Sequence, residues 1–219
     1  MADKVPGTHP IKPGFAIASF GFVSMYLFRT GNGAIIAFDT GMRPAGAVAE
    51  LAKLEIEPAD VKHVFLTHSD TDHTGGLPAF PDAEVYFPEA EVPMVTRKIP
   101  RMLGLIYNKP PSREYRTVTD GEEVTIDGTV VRCISTPGHT SGSMSFFVDG
   151  AILITGDELS LKNGRAVLDR RIIALDNCRR LESIRKLAQL RSVAYLCTMH
   201  SGYTDDFDAA MEPWRDRTG

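Results

Sequence analysis

Between Thr67 and Gly76 the chain reads Thr-His-Ser-Asp-Thr-Asp-His-Thr-Gly-Gly, placing two imidazoles and two carboxylates, His68, Asp70, Asp72 and His73, within six residues. In an extended chain, residues two apart point the same way, so His68, Asp70 and Asp72 can face one point. His73 follows one step later and approaches from another side as the chain turns. Imidazole nitrogen and carboxylate oxygen are ligands for divalent cations, and a positive ion is the simplest way to hold four such groups together. The plainer alternative is a solvated acidic loop with two incidental histidines.

Three later stretches repeat one arrangement, an apolar run followed by a His or Asp and then small residues. Thr136-Pro137-Gly138-His139-Thr140 carries His139, Thr155-Gly156-Asp157 follows Ala151-Ile152-Leu153-Ile154, and Thr198-Met199-His200-Ser201-Gly202 follows Val193-Ala194-Tyr195-Leu196-Cys197. A lone His at a strand end is more often a structural hydrogen-bonder. Four strand ends behaving alike point to one shared site.

The elements that must position these groups can be read from periodicity. Residues 61–66 form an apolar, β-branched run that reads as a buried strand delivering His68. Residues 15–20, 22–28, 34–38 and 83–87 read as further strands, with Asn32-Gly33 as a hairpin signal. Asp127-Gly128 and Asp149-Gly150 join two more strand pairs, 123–126 with 129–135 and 144–148 with 151–155. Residues 44–55 carry a helical apolar stripe, Pro88 opens a second helix toward 97, and Asp176 caps a third to about 190. A terminal helix is expected over 204–217, and an irregular lead-in over 1–13. Asp39, after the strand 34–38, is open to two readings: a support for the metal loop, or a turn residue.

Taken in order, Thr67 to Gly76, Thr136 to Ser143, Gly156-Asp157 and His200 resemble the metallo-β-lactamase superfamily, whose pattern is T-H-x-H-x-D-H-x-G-G, T-P-G-H-T-x-G-S, a G-D turn and a late His. The resemblance implies an α+β fold, a four-layer αββα sandwich of two mixed sheets with outer helices, over residues 1–219. It implies His68, Asp70 and His139 around one divalent metal and Asp72, His73 and His200 around a second. Asp157 would bridge them, and Asp72 and Asp157 are the carboxylates assigned to the catalytic step. Two such ions would activate water and polarise a carbonyl or phosphoryl oxygen.

One position departs from the pattern: Asp70 stands where most members have His. A flavodiiron branch carries Glu there and binds iron. An added carboxylate favours iron or manganese over zinc and weakens Lewis acidity.

Residues 98–116 match no part of the pattern. Pro100, Pro110 and Pro111 break regular structure, and Met102, Leu103, Leu105, Ile106 and Tyr107 show no clean period. From Arg97 to Arg116 there are six basic residues against one acidic, in a chain whose net charge is −4. The segment reads as a lid over the site, a homodimer contact or a solvated surface loop. The acidic balance argues against a nucleic-acid partner, and no run of about 18 apolar residues suggests a membrane span. Cys133, Cys178 and Cys197 have no ligand spacing, and Cys133 and Cys197, in expected strands, read as small buried apolar groups. A cytoplasmic location is the default expectation, as the N-terminus shows no apolar signal core. The leading functional expectation is a hydrolase acting on a small ester, thioester or lactone. A di-iron oxidoreductase with a separate donor and a binding module with a decayed site are the alternatives.

Overall fold

The computed structural model describes residues 2–102, 105–169 and 171–215. Strands β1 (His9–Lys12), β2 (Phe15–Ser19), β3 (Ser24–Arg29), β4 (Ile35–Phe38), β5 (Val61–Phe65), β6 (Glu84–Pro88) and β7 (Arg116–Val118) form a seven-stranded sheet in sequence order. The first four are antiparallel hairpin neighbours, and β4 to β7 run parallel. The helix α1 (Pro44–Ala52) covers the crossover from β4 to β5, as a parallel connection requires, and the single turn α2 (Thr71–Thr74) follows β5.

The second sheet holds β8 (Glu123–Ile126), β9 (Thr129–Ser135), β10 (Met144–Val148), β11 (Ile152–Ile154), β14 (Tyr195–Thr198) and β15 (Gly202–Thr204), in the order β15-β14-β11-β10-β9-β8. Its single parallel pair, β11 with β14, is crossed by α4 (Asn177–Ala188). A separate hairpin pairs β12 (Ser160–Lys162) with β13 (Arg165–Val167).

Strand alternation sorts side chains into layers. Ile36, Phe38, Phe65, Phe146, Val148, Ile152 and Ile154 fill the space between the sheets. Their neighbours Ile35, Ala37 and Val64 face α1, while Phe147 and Leu153 face α4 and α5 (Phe207–Met211). The arrangement is the expected α+β sandwich: two mixed sheets with helices on the outer faces. No helix among the described residues is long and apolar enough to cross a membrane.

Some expectations need correction. Residues 9–12 are not irregular but pair with β2 as an edge strand, where Pro10 costs little. The helix expected from Pro88 shortens to a 3₁₀ turn, Glu89–Glu91, and one helical turn, α3 (Val92–Val95). The terminal helix ends in a 3₁₀ turn at Glu212–Trp214, and positions 216 and 217 lie outside the described residues. The Asp-Gly hairpins form as read, with Asp127 and Asp149 at φ 49° and 48°. The Asn-Gly signal resolves differently: only Gly33 takes positive φ, and its N–H donates to the Thr30 carbonyl at 3.0 Å.

Candidate metal centre

Every predicted site residue follows the carboxyl end of a strand, and both sheets present those ends to one edge. Asp39 follows β4, the His68 to His73 loop follows β5, His139 follows β9, Asp157 follows β11 and His200 follows β14. The two sheets are tied there by Met144 N–H to the Thr67 carbonyl at 2.9 Å and Tyr26 O–H to the Thr198 carbonyl at 3.0 Å.

The structure decides the role of Asp39. It is fully buried, at φ 58°, and accepts hydrogen bonds at 2.7 Å from Thr67 N–H, Thr67 Oγ1–H and His73 Nδ1–H. Thr67 Oγ1, having given its proton to Asp39, accepts from His68 Nδ1 at 2.9 Å. His200 Nδ1 donates to the Phe22 carbonyl at 2.5 Å. With all three Nδ1 atoms donating, the neutral rings of His68, His73 and His200 offer their lone pairs at Nε2. None of these three Nε2 atoms has a hydrogen-bond partner among the described residues.

What those lone pairs face is other acceptors. His73 Nε2 lies 3.4 Å from Asp157 Oδ1 and 3.7 Å from Asp72 Oδ2, and His200 Nε2 lies 3.0 Å from Asp157 Oδ2 and 3.4 Å from Asp72 Oδ2. Acceptors gathered in a buried site repel unless a cation joins them. Burial works to lower the His73 pKa, but the carboxylates of Asp157, Asp39 and Asp72 outweigh it and raise it to about 10. A field that holds a proton on His73 so strongly equally favours a metal ion at Nε2. Asp72, His73 and His200 therefore fit a divalent ion, with Asp157 beside His73 and His200 to complete the set.

The second expected group, His68, Asp70 and His139, also converges, its ligand atoms lying within 4.8 Å of one another. It contains a residue that sequence reasoning did not single out. Arg101, buried, donates from Nε to Asp70 Oδ1 at 2.7 Å and from Nη2 to Asp70 Oδ2 at 2.8 Å. The same Nη2 lies 3.1 Å from His139 Nε2, and Nη1 donates to the Ile173 carbonyl at 2.6 Å. Asn108 adds a bond from Nδ2 to Asp70 Oδ1 at 2.8 Å. Burial acts to raise the Asp70 pKa, but the neighbouring His139, His68 and Arg101 prevail and hold the carboxyl far below the usual range. Burial lowers His139 to about 4, with Asp157 and Asp70 offsetting it only in part. Asp70 and His139 are thus already engaged by a guanidinium, whereas His68 Nε2 is not.

Three buried groups brace the loops. Glu91, expected on an ordinary helix, accepts from Ser69 N–H, Ser69 Oγ, Thr140 Oγ1 and Gly142 N–H at 2.5 to 3.0 Å. It thereby couples the β5 loop to the β9 loop. Gly142 makes the approach possible, since a Cβ there would lie 2.2 Å from Glu91 N. Arg180, on the face of α4 expected to be apolar, donates from Nε to the Glu158 carbonyl at 2.7 Å and from Nη2 to the Asp157 carbonyl at 2.6 Å. Gly76 packs on the Asp39 turn so closely that a Cβ would lie 2.0 Å from the Thr40 carbonyl oxygen.

A family model described as the metallo-β-lactamase superfamily matches residues 18–204. The lactamase-like protein adaB of Aspergillus niger is 32% identical over 146 residues, 66% of this chain and 41% of that protein. An atrochrysone carboxyl ACP thioesterase of Emericella nidulans is 29% identical over 160 residues, 72% of this chain and 47% of that protein. The chain spans less than half the length of these relatives. Among solved structures, a B3 metallo-β-lactamase with an active-site glutamic acid superposes with a TM-score of 0.73 at 19% identity, over 96% of this chain and 86% of that one. A metallo-β-lactamase family protein of Thermus thermophilus gives 0.70 at 22% identity, over 93% and 78%. At such identities the structural likeness bears on the fold, and it agrees with the two-sheet architecture.

Proposed function

Because the chain belongs to the metallo-β-lactamase superfamily, we propose that it is a metal-dependent hydrolase of a small ester, thioester or lactone, with an acyl thioester the best-suited substrate. The observation that carries this reading is the pair of buried His73 and His200 Nε2 lone pairs converging with Asp72 and Asp157. A divalent ion held there would supply a water activated for attack and a Lewis acid for the carbonyl oxygen. Zinc suits this nitrogen and carboxylate set, as do iron and manganese.

The chain's own residues do the positioning. Asp39 fixes the His73 tautomer and the Phe22 carbonyl fixes that of His200, so both lone pairs stay aimed inward. Arg180 holds the backbone that presents Asp157. The surroundings suit an acyl chain. Phe22, 46% exposed, stacks on His200, and Leu175, 40% exposed, is bonded through its N–H to the His139 carbonyl. Met42, also exposed, has its carbonyl against Gly75, and exposed Ile172 precedes the Ile173 carbonyl that receives Arg101. The thioesterase among the relatives is in keeping with this substrate class.

The test is a panel of acyl thioester, lactone and phosphodiester substrates offered to chelator-stripped protein and to the same protein reloaded with zinc or manganese. The reading expects hydrolysis of the thioester that vanishes on stripping and returns on reloading. Hydrolysis undiminished by stripping, or none of the panel cleaved after reloading, would overturn it.

A further inference from the structure

The resemblance leads one to expect two ions, but the atoms around Asp70 describe a different centre. An ion shared by Asp70 and His139 would take one carboxylate oxygen and the His139 Nε2 lone pair. Both are in use. Asp70 Oδ2 and His139 Nε2 lie 3.2 Å apart, and Arg101 Nη2 stands against both, at 2.8 and 3.1 Å. Asp70 Oδ1 receives Arg101 Nε and Asn108 Nδ2. The Arg101–Asp70 contact is the bidentate fork that suits a guanidinium and a carboxylate.

We propose that the Arg101 guanidinium takes the place of an ion at the His68–Asp70–His139 position, so that the chain holds one divalent ion, at Asp72, His73, Asp157 and His200. The inference rests on the metal-dependent reading above and deepens it.

Charge and chemistry agree with this division. Arg101 and Asp70 cancel, and Asp72 with Asp157 would cancel one divalent ion, so the directly contacting groups of each half balance. A second ion would have to sit against a fixed positive charge whose own partner, Asp70, it would also need. The substitution of Asp for His at position 70 thereby acquires a reason. Imidazole offers a guanidinium one acceptor, whereas a carboxylate offers the two that Arg101 uses. Asn108 shows that the grip is built: it bonds Asp70 at 2.8 Å and Ser69 Oγ at 2.7 Å, and Ser69 in turn is bonded to Glu91. Arg101 and Asn108, from the basic stretch expected as a lid, surface loop or dimer contact, thus belong to the centre itself.

The experiment measures metal content and does not require turnover. Full-length protein is stripped with chelator, titrated with manganese(II) or zinc(II) calorimetrically, desalted and analysed by elemental mass spectrometry. The wild type is expected to keep one equivalent, lost in His200→Ala and kept in His139→Ala. Arg101→Ala, with circular dichroism confirming the fold, is expected to gain a second equivalent, because Asp70 and His139 are then released to join His68. Two equivalents on the wild type, with one lost in Asp70→Ala, would overturn the proposal while leaving a metal-dependent hydrolase intact. No equivalent on the wild type would instead overturn the reading on which the proposal rests. If one equivalent is found and His139→Ala abolishes it, the ion sits at the wrong position and the proposal fails. A folded Arg101→Ala protein that gains nothing also refutes it. Should that variant not fold, the wild-type, His139→Ala and His200→Ala values decide.

Discussion

Replacing Asp39 by Asn perturbs the metal centre without replacing a proposed ligand. Asn is nearly isosteric and tolerates the left-handed backbone of position 39, where φ is 58°. The change is in the placement of protons. Asp39 Oδ1 receives the Thr67 N–H, while Oδ2 receives Thr67 Oγ1 and His73 Nδ1, each at 2.7 Å. An amide NH2 must replace one of these oxygens. The backbone N–H cannot be reversed, whereas a hydroxyl can rotate and an imidazole can change tautomer. The NH2 therefore takes the Oδ2 side, His73 Nδ1 becomes the acceptor, and the proton moves to Nε2. That is the atom facing Asp157 and Asp72 at 3.4 and 3.7 Å. With a metal on Nε2 the ring must carry its proton on Nδ1, against that NH2, which weakens affinity by about 10–100-fold, or about 1.4–2.8 kcal/mol. The metal-free variant also loses charge-assisted bonds worth about 1.5–3 kcal/mol, which lowers Tm by roughly 3–12 °C for a chain of this size. Metal competition against a calibrated chelator reads the first effect and thermal melting of stripped protein the second. An Asp39→Asn protein whose metal affinity stays within about twofold of wild type would refute the tautomer reasoning.

Two further outcomes follow from the same geometry. Glu91→Ala leaves the Ser69, Thr140 and Gly142 donors without their acceptor in a buried setting, so denaturant unfolding should show a loss of about 3–5 kcal/mol, and a loss below about 1 kcal/mol would show that the brace is not structural. Burial raises the Cys133 thiol to about 12 and pushes Cys197 up as well, while Cys178 is exposed, so a disulfide reagent at neutral pH should titrate one thiol in the native chain and three in denaturant; rapid native reaction of a second thiol would contradict the packing.

Strand ends carrying His68, His73, His139, Asp157 and His200 were legible because alternating apolar runs mark strands locally and the polar residues follow them directly. The Asp-Gly hairpins were legible for the same reason: the turn chemistry lies in two adjacent residues. Glu91 and Arg180 were not, because their roles depend on contacts 51 residues away at Gly142 and 23 away at Asp157, respectively. An α4 stripe counted from Leu181 and Ile184 hides the fact that Arg180 shares the buried face and ends on carbonyl oxygens. Arg101 left a partial trace. A carboxylate replacing an imidazole at position 70 and an excess of basic residues in 97–116 are complementary, but pairing them requires the loop to fold back across 31 residues. Leu103, part of the apolar set expected in that segment, lies outside the described residues.

The claim at the centre of this account is that Asp72, His73, Asp157 and His200 hold an ion needed for hydrolysis. Anomalous diffraction from crystals grown with manganese or zinc locates it directly. The account predicts an anomalous peak within coordination distance of His73 Nε2 and His200 Nε2, with Asp72 and Asp157 completing the shell. A saturated crystal with no peak there, or with an ion bound only between Asp70 and His139, would contradict it.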